Sequence, residues 1–255
     1  MHHFFVSPEQ IGEYSVRIVG QDVNHIRQVL RMHTGDELVV RTGQDMKEYR
    51  CAIAQMDEQC IEAQILWTEE LDTELPCRIT LFQCLPKSDK MEWIIQKAVE
   101  LGAFRIVPVA SRRSIVKLSG GKAEAKVRRW NAVAESAAKQ SRRSFVPEVG
   151  AVVDFAGALR EAEDLDVLLI PYELAQDMNH TREILSGIRP GASIGIIIGP
   201  EGGLEAEEVA SAQAVGAHSI TLGRRILRTE TAGMALIAAL MIALEDSSIT
   251  EETEQ

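Results

Sequence analysis

The chain has 255 residues, 45% hydrophobic and 25% charged, an ordinary composition for one large globular domain or two smaller ones. A formal net charge of −11 excludes a uniformly basic nucleic-acid-binding protein. The four cysteines, Cys51, Cys60, Cys77 and Cys84, form no C-x-x-C pair, which argues against a zinc ribbon or a dithiol redox motif.

No signal peptide is expected at Met1-His2-His3-Phe4-Phe5-Val6. Scattered thiols in apolar segments fit a reducing, cytoplasmic setting. Residues 1 to about 70 read as short strands: Glu37 to Arg41, Tyr49 to Ile53 and Cys60 to Ile65, separated by turn clusters at Thr34-Gly35-Asp36 and Thr42 to Asp45. One helix is expected over Gln21 to Met32, with Val23, Ile26, Val29 and Leu30 on one side. Short strands with one helix predict a small β-barrel. The acidic, proline-ended run Glu69 to Pro76 predicts a linker.

From Cys77 the pattern alternates between strand and helix. Strands are expected at Arg78 to Cys84, Arg105 to Ala110, Asp166 to Ile170, Ser193 to Ile198 and His218 to Leu222. Helices are expected at Ser88 to Leu101, Lys122 to Gln140, Glu205 to Val215 and Thr229 to Leu244, with Gly102 and Gly216 as stops and Thr229 as an N-cap. This alternation predicts an α/β domain with a mostly parallel sheet and helices on both faces. The longest apolar run, Ala232 to Leu244, is too short to span a bilayer. Being apolar nearly all round, that last helix must be buried on more than one side, inside a monomer or against a second copy.

Charge is uneven along the chain. Between Arg105 and Pro147 there are eleven basic residues and two acidic ones, Glu124 and Glu135, whereas residues 245–255 hold acids and no base. A local basic face on an acidic protein suits a polyanion, and a solvated helix face is the alternative.

In open α/β sheets, ligands bind beyond the carboxyl ends of strands. Three such ends stand out: Leu169-Ile170-Pro171-Tyr172-Glu173, Gly199-Pro200-Glu201-Gly202-Gly203, and Leu222-Gly223 running through Ile226-Leu227 to Arg228 and Thr231. Together they predict a pocket of backbone amides and carbonyls. Neither phosphate-binding glycine motif is present, and Glu201 in the glycine loop would repel a phosphate. Such a pocket suits a ligand with a cationic centre or one read by backbone hydrogen bonds.

I-G-P-E-G-G at 198–203 followed by L-G-x-x-I-L-R-T-E-T-A at 222–232 resembles the SPOUT class of RNA methyltransferases. Further blocks at 24–38, 90–102 and 129–141 are similar to the bacterial small-subunit rRNA uridine-N3 methyltransferases, the RsmE family. The chain departs from that family at Arg142-Arg143, where Gly-Arg is usual after Q-S.

The resemblance implies a PUA-like barrel at 1–70, a trefoil-knotted SPOUT domain at 77–246, an acidic tail at 247–255, and a homodimer with no membrane part. It implies S-adenosylmethionine as cofactor and no metal. The cofactor would lie against Leu169, Ile170, Pro171, Gly199, Pro200, Glu201, Gly202, Gly203, Leu222, Gly223, Ile226 and Leu227. The reaction would methylate N3 of a uridine in 16S rRNA of the small ribosomal subunit. Arg228 and Arg225 are the candidates for stabilising charge on the uridine oxygens, and Glu201 or Glu230 for accepting a proton. RNA contacts are expected from His25, Arg27 and Arg31 in the barrel and from Lys87, Lys90, Arg112, Arg113, Arg142 and Arg143 beyond it. Ribose 2′-O methylation, or RNA binding without catalysis, are the alternatives.

Overall fold

The computed structural model describes residues 1–71, 73–118, 120–175 and 177–249, with side chains as far as Glu245. The acidic tail expected at 247–255 therefore lies outside the described residues from position 250 on. The chain forms two compact units. One comprises Met1–Glu74 together with Ala138–Val146, and the other comprises Leu75–Ala137 and Pro147 onward.

The first unit is a curled five-stranded sheet in the order β1-β3-β4-β5-β2. Its strands are β1 (His2–Phe5), β2 (Ser15–Val19), β3 (Glu37–Arg41), β4 (Lys47–Met56) and β5 (Cys60–Glu70). β1 runs parallel to β3, and the other pairs are antiparallel. Two register shifts in the long β4–β5 hairpin, at Arg50/Cys51 and Ile53/Gln55, bend it as bulges do. Alternation puts Val16, Ile18, Leu38, Val40, Cys51, Ile53, Ile61 and Ala63 inward on Val23 and Ile26 of the helix.

Three expectations change here. β5 continues through Glu69 and Glu70, which pair with Glu48 and Lys47, so the linker begins later than its acidic composition suggests. The helix is shorter than Gln21 to Met32: α1 (Gln21–Asn24) passes into a π-helical stretch, His25–Val29, and Arg31 follows at φ +52°. Segment 138–146, which the sequence pattern runs on with the second domain, is part of the first unit. Arg41 holds it there, donating to the carbonyls of Arg142 and Arg143 while its guanidinium pairs with Glu48.

The second unit is an all-parallel sheet in the order β12-β10-β11-β6-β7-β8, with β9 also on β7. The strands are β6 (Arg78–Cys84), β7 (Arg105–Ala110), β8 (Glu148–Val149), β9 (Val153–Asp154), β10 (Val167–Pro171), β11 (Ser193–Ile198) and β12 (His218–Ile220). The helices are α2 (Lys90–Glu100), α3 (Gly120–Gln140), α4 (Phe155–Ala162), α5 (Met178–Gly187), α6 (Ala206–Ala214) and α7 (Thr229–Ile249). The apolar runs of β6, β10 and β11 are buried on both faces, as parallel strands under helices must be. α4 and α6 pack on Phe82, Val107, Leu168 and Ile197. The opposite face carries α7, whose Gly233 lies against Leu81 and Ile198, and α2 packs on α7. Gly102 and Gly216 end their helices at φ +94°, the left-handed conformation that glycine adopts most easily.

The sheet order places the site. From β6 the chain goes to β7 on one side, then returns through β10 and β11 to the other. That reversal leaves a crevice at the carboxyl ends of the strands. β12, β10 and β11 are adjacent there, so the loops after Pro171, Ile198 and Ile220 meet.

Candidate active site

These three loops enclose a cavity of about 460 Å³, within the range of small-molecule and cofactor sites. Pro171, Tyr172 and Glu173 form one side, Ile198 to Glu201 with Gly203 and Leu204 a second, and Thr221 to Thr229 a third. Ala232 of α7 and Lys90 of α2 complete the lining. Proline, leucine and isoleucine side chains give it apolar walls, and the glycines leave main-chain polar groups accessible.

The glycines have different reasons to be there. A Cβ on Gly199 would sit 3.2 Å from the backbone of Gly203 and Leu204, so the loop folds over itself only because that atom is missing. Gly203 and Gly223 have open space but adopt φ +70° and +107°, where side chains are strained. Gly202 has neither constraint: a Cβ would make ordinary 3.5 Å contacts with Arg113, and the Gly202 carbonyl accepts from Arg113 Nη1 at 2.7 Å.

Two sets of bonds hold the glycine loop to neighbouring elements. Thr229 donates its hydroxyl to the Gly199 carbonyl at 2.7 Å and accepts from Gln83 Nε2 at 2.9 Å. The hydroxyl that the sequence suggests as an N-cap thus fixes the loop instead. Glu201 accepts from the Lys87 backbone N–H at 3.1 Å and pairs with Lys90 Nζ at 3.0 Å. Lys90 also reaches Glu230 Oε2 at 3.2 Å. Partial burial works against charge on Glu201. Hydrogen bonds from its own backbone, Lys90 and Lys87 outweigh it, and its pKa lies below the usual carboxylate range. Lys87 and Lys90 thus favour the charged form of Glu201. Arg224, Arg225 and Arg228 are exposed on the lining and make no side-chain hydrogen bond or ion pair among the described residues.

Of the catalytic candidates, Arg228, Arg225 and Glu201 line the cavity, and Glu230 stands beside it through Lys90. Nine of the twelve residues expected to face the cofactor line it: Pro171, Gly199, Pro200, Glu201, Gly203, Leu222, Gly223, Ile226 and Leu227. Leu169 and Ile170 do not. They are fully buried within β10, which is flanked on both sides by strands. Gly202 turns towards Arg113 instead. Tyr172 and Glu173 line it from the first strand end, Ile198, Arg224, Thr229 and Ala232 from within the two motifs, and Leu204 and Thr221 directly beside them, so proximity in sequence is a usable signal. Lys90 comes from another helix and carries no such signal.

The residues expected to contact RNA are redistributed. Lys90 is a cavity residue. Arg143 is buried and paired with Glu74, so it is not a surface contact. Arg112 pairs with Glu207, and Arg113 with Glu205 at 2.8 Å; both guanidiniums sit on the acidic start of α6. Arg27 and Arg31 do not share an α-helical face, because π-helical geometry and the left-handed Arg31 intervene. His25, Arg31, Lys87 and Arg142 are exposed, and His25 also meets the Phe4 ring edge-on at 6.3 Å. Elsewhere in the basic stretch, Arg105 pairs with Glu161 and Arg129 with Glu92. Much of that local charge is thus matched by acids distant in sequence. Cys51, Cys60, Cys77 and Cys84 are all free and buried. Among the described residues, no helix is long and apolar enough to cross a membrane, and no group of three His, Cys, Asp or Glu side chains is arranged to hold a metal ion.

Comparison with known proteins places this architecture. Residues 73–241 match the family model of an RNA methyltransferase domain, and residues 18–66 that of an RNA methyltransferase PUA domain. The chain is 36% identical to the ribosomal RNA small subunit methyltransferase E of Bacillus subtilis, over 96% of this chain and 98% of that protein. It is 32% identical to the Aquifex aeolicus protein of the same name, over 94% and 99% of the two. The crystal structure of the Neisseria gonorrhoeae ribosomal RNA small subunit methyltransferase E bound to S-adenosyl methionine superposes with a TM-score of 0.81 at 33% identity, over 95% of this chain and 97% of that one. Both domain matches follow one another along the chain, and these relatives align from end to end; the chain belongs to the ribosomal RNA small subunit methyltransferase E family.

Proposed function

We propose that the chain transfers the methyl group of S-adenosylmethionine to N3 of a uridine in 16S rRNA, acting as a homodimer in the cytoplasm. The observation that carries this reading is the meeting of three strand-end loops around one cavity, with unpaired Arg225 and Arg228 on its lining. S-adenosylmethionine fits the donor set: apolar walls for an adenine, main-chain groups for its edge, and carboxylates of Glu173 and Glu201 nearby for cationic groups. When bound, it supplies an electrophilic methyl group.

Pro171, Gly199, Pro200, Glu201, Gly203, Leu222, Gly223, Ile226 and Leu227 hold the cofactor, chiefly through backbone. Positioning by rigid loops contributes much of the rate, because attack must be in line with the departing sulfur. The uridine N3 proton must leave as well, and Glu230 or solvent water takes it. Arg228 and Arg225 stabilise negative charge on the uridine oxygens, which lowers the cost of losing that proton. Glu201, ionised and bonded to Lys90, shapes the loop and does not take the proton. The target base enters unpaired or flipped, since N3 is occupied in a base pair. His25, Arg27, Arg31, Lys87 and Arg142 contact phosphates and orient the strand.

The dimer reading is supported by α7. Thr231, Ala235, Ala239 and Ile242 are exposed along one stripe of this apolar helix, Ile242 at 63%, and Trp93 on the neighbouring α2 is half exposed. A small-residue and apolar stripe of this kind suits close packing of a second helix.

The test is incubation of small subunits, or 16S rRNA, with methyl-labelled cofactor, followed by nucleoside mass spectrometry. 3-Methyluridine is expected. Ribose 2′-O methylation would replace the proposed acceptor, and failure to bind S-adenosylmethionine by calorimetry would leave only RNA binding.

A further inference from the structure

Lys90 is the first residue of α2, away in sequence from every loop of the cavity, yet it lines that cavity and touches one acid of its lining and one beside it. Its ammonium lies 3.0 Å from Glu201 in the β11–α6 loop and 3.2 Å from Glu230 in the first turn of α7. All three side chains are partly shielded from solvent. Without the ammonium, the two carboxylates would be like charges sharing one site.

The corner leading into α2 is shaped to the same end. The Lys87 N–H points at Glu201 from three residues before Lys90. Between them Ser88, a non-glycine residue, is held at φ +58°. Such strain persists only where the surroundings over-determine it.

We infer that the β6–α2 corner is a clamp on the glycine loop, and that Lys90 is its positioning residue, joining Glu201 to Glu230 so that the loop and the start of α7 keep a fixed separation. The inference rests on reading the cavity as the cofactor site, and it deepens that reading. It also reassigns Lys90 from RNA contact to cofactor-site architecture. The same α7 terminus bonds Gly199 through Thr229, so the loop is tied at both its first glycine and its carboxylate.

The test uses the full-length protein with Lys90→Met, which keeps the length and loses the charge, and Lys90→Arg, which keeps the charge. Amide hydrogen exchange over residues 199–204 is measured without cofactor, and S-adenosylmethionine binding by calorimetry. Lys90→Met should speed exchange in that segment and weaken cofactor binding by about fivefold, the scale of a partly exposed ion-pair network. It should lower kcat and leave KM for RNA and its salt dependence unmoved, and Lys90→Arg should restore all of these to within about twofold of wild type. Unchanged exchange and cofactor affinity in Lys90→Met, or a raised KM for RNA with a weaker salt dependence as the sole effect, would overturn the clamp. Wild-type protein that binds no S-adenosylmethionine would instead overturn the functional reading, and the exchange measurement would still decide the clamp.

Discussion

Arg143 donates Nε to the carboxylate of Glu74 at 3.1 Å, with Nη2 on the same oxygen, and the two side chains are only 4% and 16% exposed. The other carboxylate oxygen accepts from the backbone N–H of Ser144 at 3.1 Å and of Phe145 at 3.3 Å. A basic residue that looks like a surface polyanion contact is thus a buried strut of the first unit. Removing one partner of a buried pair leaves the other charge uncompensated. Arg143→Met is expected to destabilise the protein by about 3–5 kcal/mol, whereas Arg143→Met with Glu74→Leu recovers only part of that loss, because the Ser144 and Phe145 N–H groups then lose their acceptor. Urea denaturation of the three proteins measures it; a single variant as stable as wild type would refute the strut.

Its neighbour Arg142 behaves oppositely. It is exposed and sits at φ +59°, where related sequences are expected to carry glycine. Arg142→Gly should relieve about 1 kcal/mol of left-handed strain, visible as a rise of about 2–4 °C in Tm. The same variant removes one exposed cation and should lessen the salt dependence of RNA binding slightly. A fall in Tm would show that the loop needs the arginine side chain.

The glycine loop offers an internal comparison. Gly199→Ala puts a methyl group 3.2 Å from backbone atoms that cannot move independently. Gly202→Ala makes only ordinary 3.5 Å contacts with the Arg113 side chain. S-adenosylmethionine affinity measured by calorimetry should fall at least about tenfold for Gly199→Ala, a loss of about 1.4 kcal/mol, and stay near wild type for Gly202→Ala. Equal effects at the two positions would contradict the geometry.

Thr229 connects the loop to the sheet core. Thr229→Val keeps the shape and removes the hydroxyl, so the Gly199 carbonyl and one Gln83 donor hydrogen lose their partner. The expected cost is about 1–3 kcal/mol. Thr229→Ser should recover most of it, because the hydroxyl rather than the methyl makes both bonds. Thermal denaturation of the pair distinguishes hydrogen bonding from packing.

Burial pushes three thiols up: Cys51 and Cys84 to about 12, and Cys77 to about 11. An unfolded thiol titrates near ~8.5. A raised folded pKa means the native state holds the proton more tightly, so this contribution to stability is complete below about pH 8.5 and is lost as pH rises towards 11–12. At pH 10 the thiolate absorbance of these three cysteines should be absent in folded protein and appear on denaturation. Their full ionisation in folded protein at pH 10 would contradict the burial.

Elements whose pattern is local follow from residue order alone. β3, β6, β7 and β11 begin and end where alternation or apolar runs say, and Gly102 and Gly216 stop their helices for a backbone reason that needs no neighbour. The three glycine- and proline-rich strand ends were legible as one pocket because strand-end loops meet wherever their strands are adjacent. β1, β2, α4 and α5 were not legible: their segments are short, and tertiary pairing stabilises them more than periodicity does. Which charges are paired and which are open depends on the folded packing. Arg143 meets a carboxylate 69 residues away and Lys90 one 140 residues away, and spacing along a chain carries no record of such pairings. The basic stretch is therefore a fact of sequence, while its division into buried struts, paired cations and open cations is a fact of the fold.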